Sequence, residues 1–219
     1  MRVKEVLDGV LTVSMIGLIG VLGWRAVNGP IDVVRPPEPP AVPSDPVSLE
    51  GVQIRGAGTA PWMLLAFEDF NCSACRMFEQ HAMPTLLRDY VEPGRLRFGV
   101  HTLPLQSTGA AAEREVSAAA CAAQQGRFWE FREAMFTRLS STETPEAVMA
   151  RIGMTAPCVP GASAMTAQVK AVGKSVGLRG APHFLLGRVD NGHLKAVSVR
   201  RGIGEGDRWL KSWLDEYVQ

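Results

Sequence analysis

The sequence predicts an α/β fold in which a strand–helix–strand unit is separated by a helical insertion from a closing strand–strand–helix unit. Three observations carry this. Pro61 to Phe67, PWMLLAF, is a continuous apolar run of the kind that makes a strand buried on both faces. Ser73 to Tyr90 sets Met77, Phe78, Ala82, Leu86 and Leu87 at helical spacing, and RLRFGVHTLPL then reads as a second strand. Strand, helix and strand in that order make a parallel pair.

Each element has its own local signal. SLEGVQIRG, ahead of the apolar run, alternates as a short strand does. Pro84 predicts a kink in the helix that follows the run. From roughly residue 107 to 177 the chain reads as wholly helical. AAAEREVSAAACAAQQG closes on Gly126 as a C-cap, and RFWEFREAMFTRL, TPEAVMARIGM and TAQVKAVGKSVGL follow as three more helices. APHFLLG and HLKAVSVRRG are two strands around a turn at Asp190-Asn191-Gly192, and DRWLKSWLDEY ends the chain as an amphipathic helix. The aromatic residues of GRFWEF, with Trp209 and Trp213, are read as core.

The 219 residues suffice for one compact domain and a tail, and a net charge of +1, from 23 basic and 22 acidic residues, gives no hint of a nucleic-acid partner. The tail is informative. From Gly9 to Trp24, GVLTVSMIGLIGVLGW carries no charge, and a helix from Gly9 to Val27 would span about 28 Å, close to a bilayer core. Residues 1–27 are therefore read as an uncleaved transmembrane anchor in the inner (cytoplasmic) membrane. A cleaved signal peptide shares the layout, but the nearest cleavage site, Ala26-Val27-Asn28, is poor. Residues 28–48 are rich in proline and read as an extended tether, leaving residues 49–219 as the folded domain. Either reading of the tail places that domain in the periplasm or outside, where disulfides persist.

The chemistry centres on EDFNCSACRMF. Cys72 and Cys75, two residues apart, fall where the buried strand ends and the helix begins. There the free N–H groups and the helix dipole favour an anion, so Cys72 is the candidate nucleophile and Cys75 the thiol that resolves a mixed disulfide on it. Zinc is the competing reading, with His81 as a third ligand, but the other two cysteines, Cys121 and Cys158, stand alone. A purely structural disulfide across one helical turn closes too small a loop to stabilise much.

FEDFNCSACRMFEQ, AAACAAQQGRFWEFREAMF and AQVKAVGKSVGLRGAPHFLLG together resemble the DsbA-like thiol:disulfide oxidoreductases of the thioredoxin superfamily, from about Val52 to the C-terminus. The resemblance implies a thioredoxin-like fold with a helical insertion and redox-active Cys72 and Cys75. It implies a cis proline at Pro182, with the backbone of Ala181 pairing to an extended substrate strand. It implies protein thiols or disulfides as partners, a membrane redox partner, and no cofactor. Similar sequences often carry cysteines near Cys121 and Cys158, so these two are expected to pair with each other, buried free thiols being the alternative.

Two positions depart from the family pattern. The acid found six residues before the first cysteine is Ala66 here, with Glu68 and Asp69 nearby as substitutes or as exposed loop carboxylates. Ser73-Ala74 lacks the histidine or proline common between the cysteines. An oxidase is the preferred reading, with a reductase using the same pair, or a partner- or metal-binding module, as alternatives. His183, beside Pro182, is read either as tuning the site or as facing away from it.

Overall fold

The computed structural model describes residues 40–105, 109–140, 142–154 and 162–219. The proposed transmembrane segment, most of the tether and Cys158 lie outside the described residues. Among the described residues, no helix is long and apolar enough to cross a membrane.

Six strands form one sheet: β1 (Val47–Ser48), β2 (Gln53–Arg55), β3 (Trp62–Glu68), β4 (Leu96–Thr102), β5 (His183–Asp190) and β6 (His193–Arg201), in the order β1-β6-β5-β3-β4-β2. β3 and β4 are parallel, as the strand–helix–strand order requires, and every other pair is antiparallel. Trp62–Glu68 becomes the central strand because six of its seven residues are buried. Val47 and Ser48 were expected to close the tether. Instead they pair with Leu194 and His193 of β6, because Val47 buries its side chain against Leu65 and Leu185 on the second face of the sheet.

The helix after β3 is a continuous run of α1 (Ser73–Met77), a π-turn (Phe78–Ala82), α2 (Met83–Leu86) and a second π-turn (Leu87–Val91). The first widening directly precedes Pro84, whose missing N–H removes a helical hydrogen bond, so the predicted irregularity takes the form of a wider turn. The insertion holds α3 (Gly109–Gln124), α4 (Phe128–Phe136), α5 (Pro145–Arg151) and α6 (Ala162–Ser175); α7 (Arg208–Leu214) closes the chain. Thr144 caps α5 by accepting from Ala147 N at 3.2 Å, and Pro145 fills its first turn. Asn191 and Gly192 turn β5 into β6 with φ of 46° and 74°, the left-handed pair that a two-residue hairpin favours.

Alternation along β3 divides the core. Leu64 and Ala66 face the helical run after Cys72, α4 and α7, with Phe78, Phe98, Phe131, Phe184 and Trp209 packed around them. Met63, Leu65 and Phe67 face the opposite layer, with Val169 of α6 and Val176 just beyond its end. Trp209 and Trp213 are buried, as their apolar spacing predicts. Gly187 sits at a bulge where a Cβ would come within 2.1 Å of the Lys195 carbonyl oxygen, so no larger residue fits.

Candidate active site

The C-terminal end of β3 presents the two cysteines. Asp69 and Asn71 make the turn: the Asp69 carbonyl accepts from Cys72 N at 3.0 Å, and Asp69 Oδ1 accepts from Asn71 N at 2.7 Å. Cys72 then occupies the N-cap of α1 in extended conformation. Its thiol donates to the carbonyl oxygen of Ala181 at 3.1 Å, across 109 residues of chain, and the Ala181–Pro182 peptide is cis. The resemblance brought Cys72, Ala181 and Pro182 to one place, and the fold places them together.

Cys72 is 5% exposed and Cys75 fully buried, and both are free thiols. Burial first, and then the negative charge of Glu68, push the Cys75 pKa far above the ordinary thiol range. A hydrogen bond from the Asp69 backbone acts weakly the other way. The thiol that leaves or attacks second is therefore held protonated in the resting dithiol.

Glu68 is the residue that sequence reasoning undervalued. Read as a possible exposed loop carboxylate, it is instead the last residue of β3 and wholly buried, as is Asp69. Ala66 leaves an apolar floor beneath the cysteines, and Glu68, two residues on and so on the same face, places a carboxylate there. Both its oxygens accept from Arg132 of α4 at 2.8 Å, and Arg132 also pairs with Glu79, which follows α1. Two carboxylates share one guanidinium away from water. Burial raises the Glu68 pKa, Arg132 opposes this, and Glu79 adds to the rise, so the direction is upward. Burial alone would lower the Arg132 pKa, but the two carboxylates hold its charge. One signal pointed to this group: Arg132 falls within the apolar stripe of Phe128, Phe131, Met135 and Phe136.

A second polar group fixes the turn itself. Asn71 Nδ2 donates to Glu115 Oε1 of α3 at 2.5 Å, and Arg138, just beyond α4, donates to Asn71 Oδ1 and the Phe70 carbonyl at 3.0 Å each. The helical insertion thus holds the residue preceding Cys72 from two sides.

His183 faces away from the cysteines. It lies on the opposite face of β5 from Phe184, edge-on to Phe67, and His101 of β4 stacks on the other side of that ring. Burial lowers both histidine pKa values to about 4, with Arg201 adding to the effect at His183. His81 is exposed, and no group of three metal-binding side chains occurs among the described residues. Cys121 is buried in α3, is disulfide-bonded, and accepts from Gln125 Nε2 at 3.1 Å.

Residues 49–185 match the family described as thioredoxin, and the chain belongs to that family. Its similarities beyond that family model run to a disulfide bond formation protein and to DsbA-like structures. It is 25% identical over 96 residues to Disulfide bond formation protein D of Bacillus subtilis (strain 168), covering 44% of this chain and 43% of that protein. It is 30% identical over 157 residues to Na(+)/H(+) antiporter NhaA 1 of Mycolicibacterium gilvum (strain PYR-GCK), covering 68% of this chain and 23% of that protein. The chain thus spans less than half the length of these curated relatives. Wolbachia pipientis alpha-DsbA1 shares the fold, with a TM-score of 0.64, 14% identity, and coverage of 78% of this chain and 92% of that one.

Proposed function

We propose that this protein is a protein disulfide oxidoreductase that exchanges disulfides with secreted proteins through Cys72 and Cys75. The observation that carries the reading is the 3.1 Å contact from the Cys72 thiol to the Ala181 carbonyl, with Cys75 buried behind it. A substrate strand lying along Ala181 and Pro182 would bring its own sulfur to Cys72 and nowhere else in the pair.

As an oxidase, a substrate thiolate attacks Cys72 of the Cys72–Cys75 disulfide; a mixed disulfide forms and Cys75 leaves as a thiolate. A second substrate thiolate then attacks the substrate sulfur of the mixed disulfide and releases Cys72. The substrate is oxidised by two electrons and the protein reduced to the dithiol. Cys75 must gain a proton in its buried position, and the Glu68–Arg132–Glu79 group, two carboxylates against one cation, is the titratable group beside it. The reductase reading runs the same steps backwards.

In the same reading, residues 1–27 anchor the domain outside the inner membrane, residues 28–46 tether it, and a membrane partner reoxidises it. The match to part of a protein named as an antiporter supports a membrane setting. Cys121 pairs with Cys158 and staples the insertion. The deciding experiment is the reduction potential of the Cys72–Cys75 couple: a value near about −120 mV marks an oxidase and one near about −270 mV a reductase. Full disulfide-transfer activity in Cys72→Ser would sink both.

A further inference from the structure

We infer that Arg76 is a specificity residue that favours substrates carrying a carboxylate within about two residues of the reacting cysteine. This deepens the disulfide-exchange reading and rests on it.

Placement comes first. Arg76 lies one helical turn beyond Cys72, its N–H donating to the Cys72 carbonyl at 3.1 Å. Glu79, three residues on and so on the same stripe as Arg76, pairs with Arg132 of α4. The stripe therefore looks toward the helical insertion, whereas the Cys72 thiol reaches Ala181 of the loop before β5. A substrate strand held along Ala181 would have Arg76 beyond Cys72, on the side of the insertion.

Charge comes second. Arg138, on the same seam, is engaged with Phe70 O and Asn71 Oδ1 and has Glu115, Glu143 and Asp69 close enough to stabilise its cation; burial and then the charge of Arg76 act against it. Arg76 is different. It is half-buried, its Nε is shielded from solvent with no hydrogen-bond partner, and no carboxylate pairs with it among the described residues. A guanidinium that is partly dehydrated, unpaired and beside a nucleophile is a receptor for an oxyanion, and its planar fork suits a carboxylate. An unpaired polar group at this depth gains most when the incoming chain supplies the missing acceptor.

The test uses Cys75→Ser protein loaded at Cys72 with 5-thio-2-nitrobenzoate. A peptide thiolate attacks the Cys72 sulfur, and the coloured thiolate leaves. Three peptides differ only beside the cysteine, in Asp, Asn or Lys. The Asp peptide is expected to react about three- to fivefold faster than the Asn peptide at low salt, the size of one partly exposed ion pair, and the Lys peptide slower. Arg76→Gln should bring the Asp and Asn rates together, and Arg76→Glu should reverse the order of Asp and Lys. Because each variant is judged by a ratio between peptides, a general loss of stability or reactivity cancels. An Asp-to-Asn ratio unchanged by Arg76→Gln overturns the inference alone. Failure of every peptide to form a mixed disulfide overturns the exchange reading and this inference with it.

Discussion

Glu68 and Arg132 meet through two parallel hydrogen bonds of 2.8 Å, with the two side chains 0% and 1% exposed. The strand that presents the cysteines is thereby joined, charge to charge, to a helix 64 residues further along the chain. A buried bidentate pair of this kind contributes little net stability, but it is costly to break.

Removing one partner should show that cost. Arg132→Leu leaves Glu68 buried and uncompensated, and is expected to destabilise the fold by about 3–5 kcal/mol. The double variant Glu68→Leu/Arg132→Leu should recover part of the loss, because the fully buried carboxylate goes with its partner while Glu79, 13% exposed, can turn to water. Urea unfolding of the three proteins checks this, and a double variant as unstable as the single one would count against it.

Glu68→Gln keeps the shape and removes the titratable group. With Glu68 serving the proton traffic of Cys75, attack of Cys75 on the mixed disulfide, the resolving step of the reductive direction, should slow by about 10- to 100-fold near neutral pH. Attack of Cys72 on a small disulfide should change far less. Rapid-mixing measurements that separate the two steps decide it, and equal slowing of both would point to misplacement of the helix instead.

The two buried histidines set a pH dependence. Folded pKa values near 4, against an ordinary 6.5, mean that the native state favours neutral imidazole at His101 and His183. Their contribution is therefore complete above about pH 6.5 and is lost as the pH falls toward 4. For His101 the loss is on the order of 3 kcal/mol, and for His183 it has the same sign. Denaturant unfolding between these pH values should show the decline, and His101→Leu should flatten it. A flat wild-type profile would contradict the burial argument.

The Asn71 bridge separates hydrogen bonding from charge. Asn71→Ala removes the contacts to Glu115 and Arg138 and should cost about 1–3 kcal/mol while slowing exchange at Cys72. Glu115→Gln retains an acceptor oxygen for Asn71 and should cost less than Glu115→Ala. Thermal unfolding together with the rate of Cys72 alkylation gives both readouts.

Much of this was legible in the residues. The apolar run at Pro61–Phe67 reads as a strand buried on both faces, Asp190-Asn191-Gly192 reads as a turn between two strands, and the resemblance brought Pro182 to Cys72. Local patterns did not reveal which faraway side chain each buried acid meets. Glu68 was undervalued because its position near the cysteines resembles a loop, and its burial depends on α4 covering the strand end. Ala66 looked like a missing acid because the reading was tied to one position; strand alternation allows a carboxylate two residues later to occupy the same face. Val47 and Ser48 were assigned to the tether on composition, since β6, the strand they pair with, comes some 145 residues later.

The insertion is not a cap added to a self-sufficient sheet, and in this chain it cannot be pared away. Arg132, Arg138 and Glu115 all come from it, and each terminates a polar group rooted in the strand end or the turn before Cys72. A minimal version keeping only the sheet and its flanking helices would strand an ionisable group in oil and leave the turn slack. Anyone shortening or transplanting this scaffold must move those three side chains with the cysteines, as one cassette.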